Sequence, residues 1–358
     1  MPAFMILLAA LLALVCALLF LARRRLGLFL ARKFAARALE RDVLGSLRDG
    51  LYAGLGGSGA PLADAHRAGP CVFIYAGKRL VIVDAGDGAT RKLALMGIPL
   101  GQVDALFLTH FHSDHIASLG ELMLQRWAGG THKDPLPVHG PQGVDAVVAG
   151  IHRAYSADDG YRIAHHGPAA MPPSGAGGVA HPFQVSRDSG AAQVILELDG
   201  LTVSAFPVDH VPVFPAVGYR FDYGGRSVVV SGDTAPSPVL EQVSAGADVL
   251  FHEALQPALV SILESAARKA GRGAVERVLH DIPGYHSSPE DAAAIATRAG
   301  VKHLVFYHLI PPLPSRALHG AFLGGAPAIY KGPISIGTDG LMLCLPSAST
   351  AIEQRKLL

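Results

Sequence analysis

The chain has 358 residues, of which 50% are hydrophobic and 16% charged, and its formal net charge is +1. Because half of the residues can contribute to a core, a disordered chain is excluded, as are collagen-like, coiled-coil and disulfide-scaffold proteins. Three cysteines, Cys16, Cys71 and Cys344, are too few for a disulfide framework.

The N-terminus carries an uninterrupted apolar run over residues 3–22. As a helix this run would be about 30 Å long, which matches the hydrocarbon core of a membrane. A cleaved signal peptide is the alternative, but no basic residue precedes the run, and Arg23, Arg24 and Arg25 follow it directly. We therefore expect residues 1–25 to form an uncleaved transmembrane anchor.

Basic residues dominate the segment after the run. Residues 26–44 are typical of a basic amphipathic helix on lipid headgroups, or of a plain linker helix, within a linker that extends to residue 50. The positive-inside rule predicts a single-pass protein of a bacterial-type inner membrane, with the rest of the chain in the cytoplasm. Residues 1–40 carry a net charge of +5, so the remainder carries −4 and lacks the basic footprint of a general nucleic-acid binder.

From residue 51 to residue 358, predicted strands alternate with helices, which indicates one α/β domain. The predicted strands comprise residues 71–76, 80–84, 103–109, 194–198, 201–206, 217–221, 227–231 and 301–308. The predicted helices comprise residues 90–96, 116–127 and 254–270, and a fourth that Ser288 caps and Gly300 ends. Residues 167–182, with four glycines and four prolines, predict a long loop.

A dense cluster of polar side chains follows the predicted strand 103–109. It contains His110, His112, Asp114 and His115 within six residues. Neutral imidazole and carboxylate are the usual ligands of zinc in proteins. A surface loop gains nothing from this pattern, so the cluster predicts a metal site.

Four side chains in one loop cannot complete two metal sites, and three further candidates follow strand-like runs. His210 ends AFPVDH, Asp233 ends VVVSGD and His308 ends HLVFYH. Seven ligands would hold two ions if one carboxylate bridges them. We expect two Zn²⁺ ions, although a mixed histidine and aspartate set also accepts Mn²⁺ or Fe.

Several stretches between Gly54 and about Pro314 resemble one family in their order and content. They are GLGGSGAPLADAHRAGPCVF, VIVDAGDG, LTHFHSDH, DHVPVFPAVGYRF, SGDT, FHEA, YHSS and FYHLIPP. The chain resembles the metallo-β-lactamase fold superfamily, and within it the branch that contains ribonuclease Z and certain arylsulfatases. The resemblance covers nearly the whole chain beyond residue 50.

The resemblance implies an αββα sandwich, in which two sheets face each other and helices lie outside. It implies that His110, His112 and His210 hold one zinc ion. It assigns Asp114, His115 and His308 to the other ion, with Asp233 bridging the two. Asp84, in VIVDAGDG, matches a position that supports the site by hydrogen bonding.

The resemblance also implies the chemistry. A hydroxide held by the two ions would attack an ester, and His286, in YHSS, would protonate the leaving group with Glu253, in FHEA, as its partner. A purely local role for His286 is the alternative. Asp114, His286 and Glu253 are the predicted catalytic residues.

Two departures from ribonuclease Z bear on the substrate. Members of that group carry a long RNA-gripping arm between the positions of His210 and Asp233, which here are only 23 residues apart. Their first loop also carries a lysine and an Arg-Asn pair, of which PLADAHRA keeps only Arg67. We therefore expect a membrane-anchored hydrolase of small phosphodiesters or sulfate esters, with no nucleic-acid partner.

Two other functions remain open. One is a ribonuclease Z-like phosphodiesterase acting on tRNA precursors, and the other is a non-catalytic metal-binding membrane protein. Lipid contacted through the N-terminus is the expected second partner, and residues 322–327 are a candidate homodimer contact.

Overall fold

The computed structural model describes residues 2–186 and 190–358 and divides after Gly45 into two units. In the first unit, helix α1 (Pro2–Glu40) runs through both predicted segments, the anchor and the start of the linker, while Met1 lies outside the described residues. Among the described residues, α1 is the one helix long and apolar enough to cross a membrane, judged by length and composition. A signal sequence would share these features.

The second unit contains two β-sheets. Its strands are β1 (Gly50–Gly57), β2 (Cys71–Ala76), β3 (Arg79–Val83), β4 (Val103–Phe107), β5 (Leu136–Pro141), β6 (Gly178–Phe183), β7 (Gln193–Leu198), β8 (Leu201–Pro207), β9 (Val217–Tyr223), β10 (Arg226–Val230), β11 (Val249–Leu255), β12 (His303–Ile310), β13 (Ile334–Ile336), β14 (Leu341–Pro346) and β15 (Glu353–Lys356). The first sheet has the order β15-β14-β1-β2-β3-β4-β5-β6, and the second has the order β13-β12-β11-β10-β9-β8-β7.

Helices cover the outer faces of both sheets and connect the strands. The helices of this unit are α2 (Ala89–Met96), α3 (Ser113–Ile116), α4 (Leu119–Gly130), α5 (Val144–His166), α6 (Pro238–Val243), α7 (Pro257–Lys269), α8 (Gly273–Asp281), α9 (Pro289–Arg298), α10 (His319–Leu323) and α11 (Ala326–Ile329). Helices α2, α4 and α5 pack on the first sheet, and α6 and α9 pack on the second. The predicted mixed α/β fold with two sheets is confirmed.

The main core lies between the two sheets and follows the two-residue period of the strands. Val228 and Val230 of β10 face the first sheet, whereas Val229 between them belongs to the outer core that α9 covers. Ser288 caps helix α9 as predicted, and it forms a capping box with Asp291. Phe322 and Ala326, in the candidate dimer segment, are buried in this outer core.

Several elements differ from the sequence predictions. The predicted helix 254–270 begins only at Pro257, because Ala254 and Leu255 complete β11 before the proline starts α7. The predicted loop 167–182 ends in strand β6, which pairs with β5. Strand β1 was not predicted, because its four glycines hide the pattern of a buried strand.

Phe107 offers a test of the sandwich core. Its ring is fully buried between the sheets, 5.5 Å from the Tyr219 ring and 6.0 Å from the Phe221 ring. We expect Phe107→Ala to lower the free energy of unfolding by about 3–5 kcal/mol, measured by denaturant titration. Ile262→Ala, at an exposed position of α7, should change it by less than about 0.5 kcal/mol. Equal effects of the two substitutions would contradict this packing.

Candidate metal centre

The structure brings all seven predicted ligand residues together at one edge of the sandwich. Four of them lie in the loop and short helix α3 that follow β4, and His210 and Asp233 follow β8 and β10. His308 lies within β12. Strands β3 and β4 are parallel, as are β10, β11 and β12, so their carboxyl ends meet at this edge.

The first group consists of His110, His112 and His210, with Asp233 beside them. His112 Nδ1 lies 3.0 Å from His110 Nε2 and 3.5 Å from His210 Nε2. The Asp233 Oδ2 atom lies 3.9 Å from both His110 Nε2 and His210 Nε2. Four donor atoms therefore surround one point.

The second group consists of Asp114, His115 and His308. Asp114 Oδ2 lies 3.6 Å from His115 Nε2 and 3.3 Å from His308 Nε2. Asp233 Oδ2 completes the group, at 3.4 Å from His115 Nε2 and 3.3 Å from His308 Nε2. One carboxylate oxygen thus lies between the two groups.

These separations fit divalent metal ions. Ligand atoms about 2.0–2.1 Å from a tetrahedral zinc ion lie roughly 3.3 Å from one another. Two buried polar atoms of the centre, His115 Nε2 and Asp233 Oδ1, have no hydrogen-bond partner among the residues that the structure describes. Because buried polar atoms are rarely left without partners, this donor set suits a cation, and its chemistry does not by itself identify the metal.

The position of His308 depends on a local irregularity of β12. The pairing of β11 with β12 shifts by one residue between Glu253 and Ala254, so that His308 is the extra residue of a β-bulge. His308 has a φ of 45°, in the left-handed region that non-glycine residues rarely adopt. The bulge turns the His308 side chain toward the centre instead of into either core.

Asp84 supports the loop by hydrogen bonding, as the family resemblance implies. Its carboxylate accepts hydrogen bonds of 2.8 Å from the backbone N–H and the hydroxyl of Thr109, and it lies 2.8 Å from His115 Nδ1. This contact leaves His115 Nε2 directed at the centre. Gly86 is needed nearby, because a Cβ atom there would lie 2.6 Å from the backbone oxygen of Asp114.

The electrostatics of the two groups differ. Burial lowers the pKa of His110, His112 and His210, which keeps their rings neutral and able to bind a cation. Burial would also lower the pKa of His115, but the carboxylates of Asp233, Asp84 and Asp114 outweigh it and raise that pKa well above its ordinary value. The carboxylates of the second group therefore favour a positive charge there.

His286 and Glu253 lie beside the centre and contact each other. His286 Nδ1 is 3.0 Å from the buried Glu253 carboxylate, and the His286 ring centroid is 5.5 Å from that of His308. Burial lowers the pKa of His286, but the Glu253 carboxylate outweighs burial and raises that pKa to about 9. The Glu253 carboxylate therefore favours the protonated form of the His286 ring.

Other residues that position the site were missed by the sequence reasoning. The backbone oxygen of Tyr285 lies 3.0 Å from His210 Nδ1 and directs the opposite nitrogen at the centre. Thr109 links Asp84 to the loop, and the backbone N–H groups of Thr234 and Ser287 donate to Glu253. Backbone partners leave no sequence signal, although Thr109 stands next to His110.

Asp84 provides a prediction about metal affinity. In Asp84→Asn an amide replaces the carboxylate that orients His115, and we expect zinc affinity to fall by about 10- to 100-fold. Competition with a chromophoric chelator measures the change. Asp248→Asn is the matched control, because Asp248 is equally buried but contacts Arg226 and Lys302 instead of a histidine. Unchanged affinity in Asp84→Asn would contradict the orienting role.

Comparisons with known proteins agree with this architecture. Residues 66–274 match the family model described as the metallo-beta-lactamase superfamily. A protein named ribonuclease Z from Mycolicibacterium gilvum (strain PYR-GCK) is 39% identical over 259 residues, which cover 72% of this chain and 83% of the relative. Another ribonuclease Z, from Mycobacterium bovis (strain BCG / Pasteur 1173P2), is 37% identical over 286 residues and is matched over 94% of its length and 79% of this chain.

A solved structure shares the fold. The short form of human tRNase Z superposes with a TM-score of 0.58 at 19% identity, covering 82% of this chain and 99% of its own.

These relatives correct the expected substrate. The prediction of a small-molecule hydrolase without a nucleic-acid partner is wrong, because the relatives that match most of this chain are named ribonuclease Z. That prediction relied on the short segment between His210 and Asp233, which has no room for the arm. This chain nevertheless matches a ribonuclease Z over 94% of that relative's length, so the absence of an arm does not exclude likeness to ribonuclease Z. The expected likeness to arylsulfatases gains no support from these relatives.

Proposed function

The chain belongs to the metallo-beta-lactamase superfamily and is homologous to proteins named ribonuclease Z, and from this membership we propose that it is a metal-dependent phosphodiesterase acting on tRNA precursors. The observation that carries the proposal is the convergence of seven histidine and aspartate side chains on two adjacent points. Two cations suit a phosphodiester, whose oxygens are negatively charged.

We propose the following assignment of the metal ligands. His110, His112 and His210 hold one zinc ion, Asp114, His115 and His308 hold the other, and Asp233 bridges them. The position of Asp233 Oδ2, between 3.3 and 3.9 Å from four imidazole nitrogens, supports the bridging role. When bound, the two cations would ionise a water at neutral pH and offset the negative charge of the phosphate.

We propose that His286 protonates the leaving oxygen of the substrate. An RNA leaving group is an alkoxide, which is too basic to depart without a proton. Glu253 holds His286 Nδ1, which leaves the Nε2–H free to donate toward the centre. Glu253 is itself fixed by two backbone N–H groups, so the ring is oriented before substrate binds.

The proposal is tested by incubating the purified full-length chain with a precursor tRNA that carries a 3′ trailer. We expect release of the trailer at ordinary salt, loss of this activity with a chelator, and recovery on addition of zinc. The folded protein with a normal zinc content should be assayed in parallel on bis-aryl phosphodiesters and aryl sulfates. Turnover of these esters with no cleavage of any precursor tRNA would overturn the proposal.

We also propose that residues 1–25 anchor the protein in a membrane, that residues 26–50 link the anchor to the hydrolase of residues 51–358, and that the hydrolase lies in the cytoplasm. The apolar length of α1 and the basic residues after position 22 support this placement. A reporter fused to the C-terminus should be active in the cytoplasm and sediment with membranes after an alkaline wash. Recovery of the intact chain in the soluble fraction would contradict the anchor.

A further inference from the structure

A cavity of about 370 Å³ outside the metal centre is lined by basic side chains. We call it the basic pocket, and its basic residues are His66, Arg67, Lys92, Arg316, His319 and Lys356. Asp339 is the one acidic side chain among its lining residues in the described part of the chain. Ser315 and Thr338 add hydroxyl groups to the wall. Such a lining suits a phosphate group.

Not all of these cations are neutralised within the protein. Lys92 Nζ lies 3.3 Å from Asp339 Oδ2, and Arg67 Nη1 lies 3.2 Å from Asp64 Oδ2. Arg316 and Lys356 are exposed, and neither side chain has an ion-pair or hydrogen-bond partner among residues 2–186 and 190–358. The pocket therefore has two unpaired positive charges, which face solvent and are available to an anion.

The basic pocket adjoins the candidate metal centre through Arg67. This side chain is only 8% exposed, and its Nε atom has no hydrogen-bond partner within residues 2–186 and 190–358. Arg67 also lines a neighbouring cavity of about 340 Å³, whose wall includes Ser113 and Asp114 of the centre. Arg67 therefore lies in the wall of both cavities, one of which includes residues of the candidate metal centre.

The positive charges of the pocket act on His319, a titratable residue in its wall. Burial lowers the pKa of His319, and the positive charges of Arg67 and Arg316 lower it further. The basic lining of the pocket contrasts with the net charge of −4 on residues 41–358.

We propose that the basic pocket binds a backbone phosphate of the RNA substrate other than the phosphate that is cleaved, with Arg316 and Lys356 as the contacting cations. This inference rests on the proposed function. It explains how a domain of negative net charge holds a polyanion, since contact with RNA requires positive charge only where the phosphates lie.

The test uses the full-length zinc-loaded protein and its variants Arg316→Gln, Lys356→Gln and the double substitution. Arg298→Gln is the matched control, because Arg298 is an exposed arginine outside the pocket that pairs with Glu241. The values of kcat and KM for a precursor tRNA are measured over a series of monovalent salt concentrations. Zinc content and melting temperature verify that each variant is folded. Inorganic phosphate is titrated calorimetrically into each protein as a separate arm.

We expect each pocket substitution to raise KM roughly three- to tenfold with little change in kcat, since the lost contact is made equally in the ground and transition states. A plot of log kcat/KM against log salt concentration has a negative slope, and this slope should become less negative by about 0.7–0.9 for each phosphate contact removed. The Arg298→Gln control should match the wild type.

Three results would overturn the inference. KM values and salt slopes equal to wild type would show that the pocket does not contact RNA. Loss of inorganic phosphate binding with unchanged RNA kinetics would assign the pocket to a free anion. A wild-type protein that binds zinc but cleaves no precursor tRNA would overturn the proposed function, and the inference with it.

Discussion

Replacing Asp233 with alanine is expected to lower kcat/KM for precursor tRNA by at least about 10³-fold, because one buried carboxylate serves both halves of the centre. Its Oδ2 atom lies within 3.3–3.9 Å of His110, His115, His210 and His308. Without it, each group loses a negatively charged donor. We therefore expect the zinc content of the variant to fall below two ions per chain, measured by elemental analysis of the same sample.

The neighbouring residue Asp209 provides the control for this substitution. Its carboxylate is exposed, and it is not part of the seven-residue cluster although it precedes His210 directly. Asp209→Ala should retain at least about half of the wild-type kcat/KM and a full zinc content. If Asp233→Ala bound two zinc ions and kept its activity within tenfold of wild type, the bridging assignment would be refuted.

Replacing His286 with alanine is expected to reduce kcat for precursor tRNA by about 10²- to 10⁴-fold while leaving KM and zinc content close to wild type. The substitution removes the group that would protonate the leaving oxygen but none of the proposed ligands. Glu253→Gln should reduce kcat in the same direction by a smaller factor, because a neutral amide no longer holds the proton on His286.

A second substrate separates proton donation from a structural role of His286. Nitrophenolate leaves without a proton, so His286→Ala should lose less than about tenfold on bis(p-nitrophenyl) phosphate. A purely structural role would lower turnover of both substrates by the same factor. That equal loss is the result that would contradict general-acid catalysis.

The convergence of the seven side chains could be anticipated because each follows, or ends, a run that the sequence identifies as a strand. The motif of residues 110–115 is local, and the carboxyl ends of parallel strands meet at one edge of a sheet. The sequence alone could therefore place His210, Asp233 and His308 near the motif. The metal-binding roles of these residues remain predictions.

Other features of the site could not be predicted, because they depend on tertiary contacts. The bulge at His308 arises from its pairing with β11, and the support of His210 by the backbone of Tyr285 involves an atom that every residue possesses. Outside the site, helix α5 was also not predicted, because Gly150 and Gly160 weaken the helical pattern of its sequence.

The net charge of the chain could not predict the basic pocket. Net charge averages over the whole surface, whereas recognition of a phosphate depends on charge at one place. Lys92, Arg316 and Lys356 are far apart in sequence and form no basic run, yet they line one pocket. Lys356 lies in β15, and it reaches the pocket because β15 pairs with β14, which pairs with β1 in the first sheet.

The two-metal centre can be tested by diffraction from crystals of the zinc-loaded protein, recorded on both sides of the zinc absorption edge. We expect two anomalous peaks about 3.5–4 Å apart, one among His110, His112 and His210 and the other among Asp114, His115 and His308, with Asp233 between them. The absence of zinc from this edge of the sandwich, in a protein folded as described, would contradict the two-metal centre.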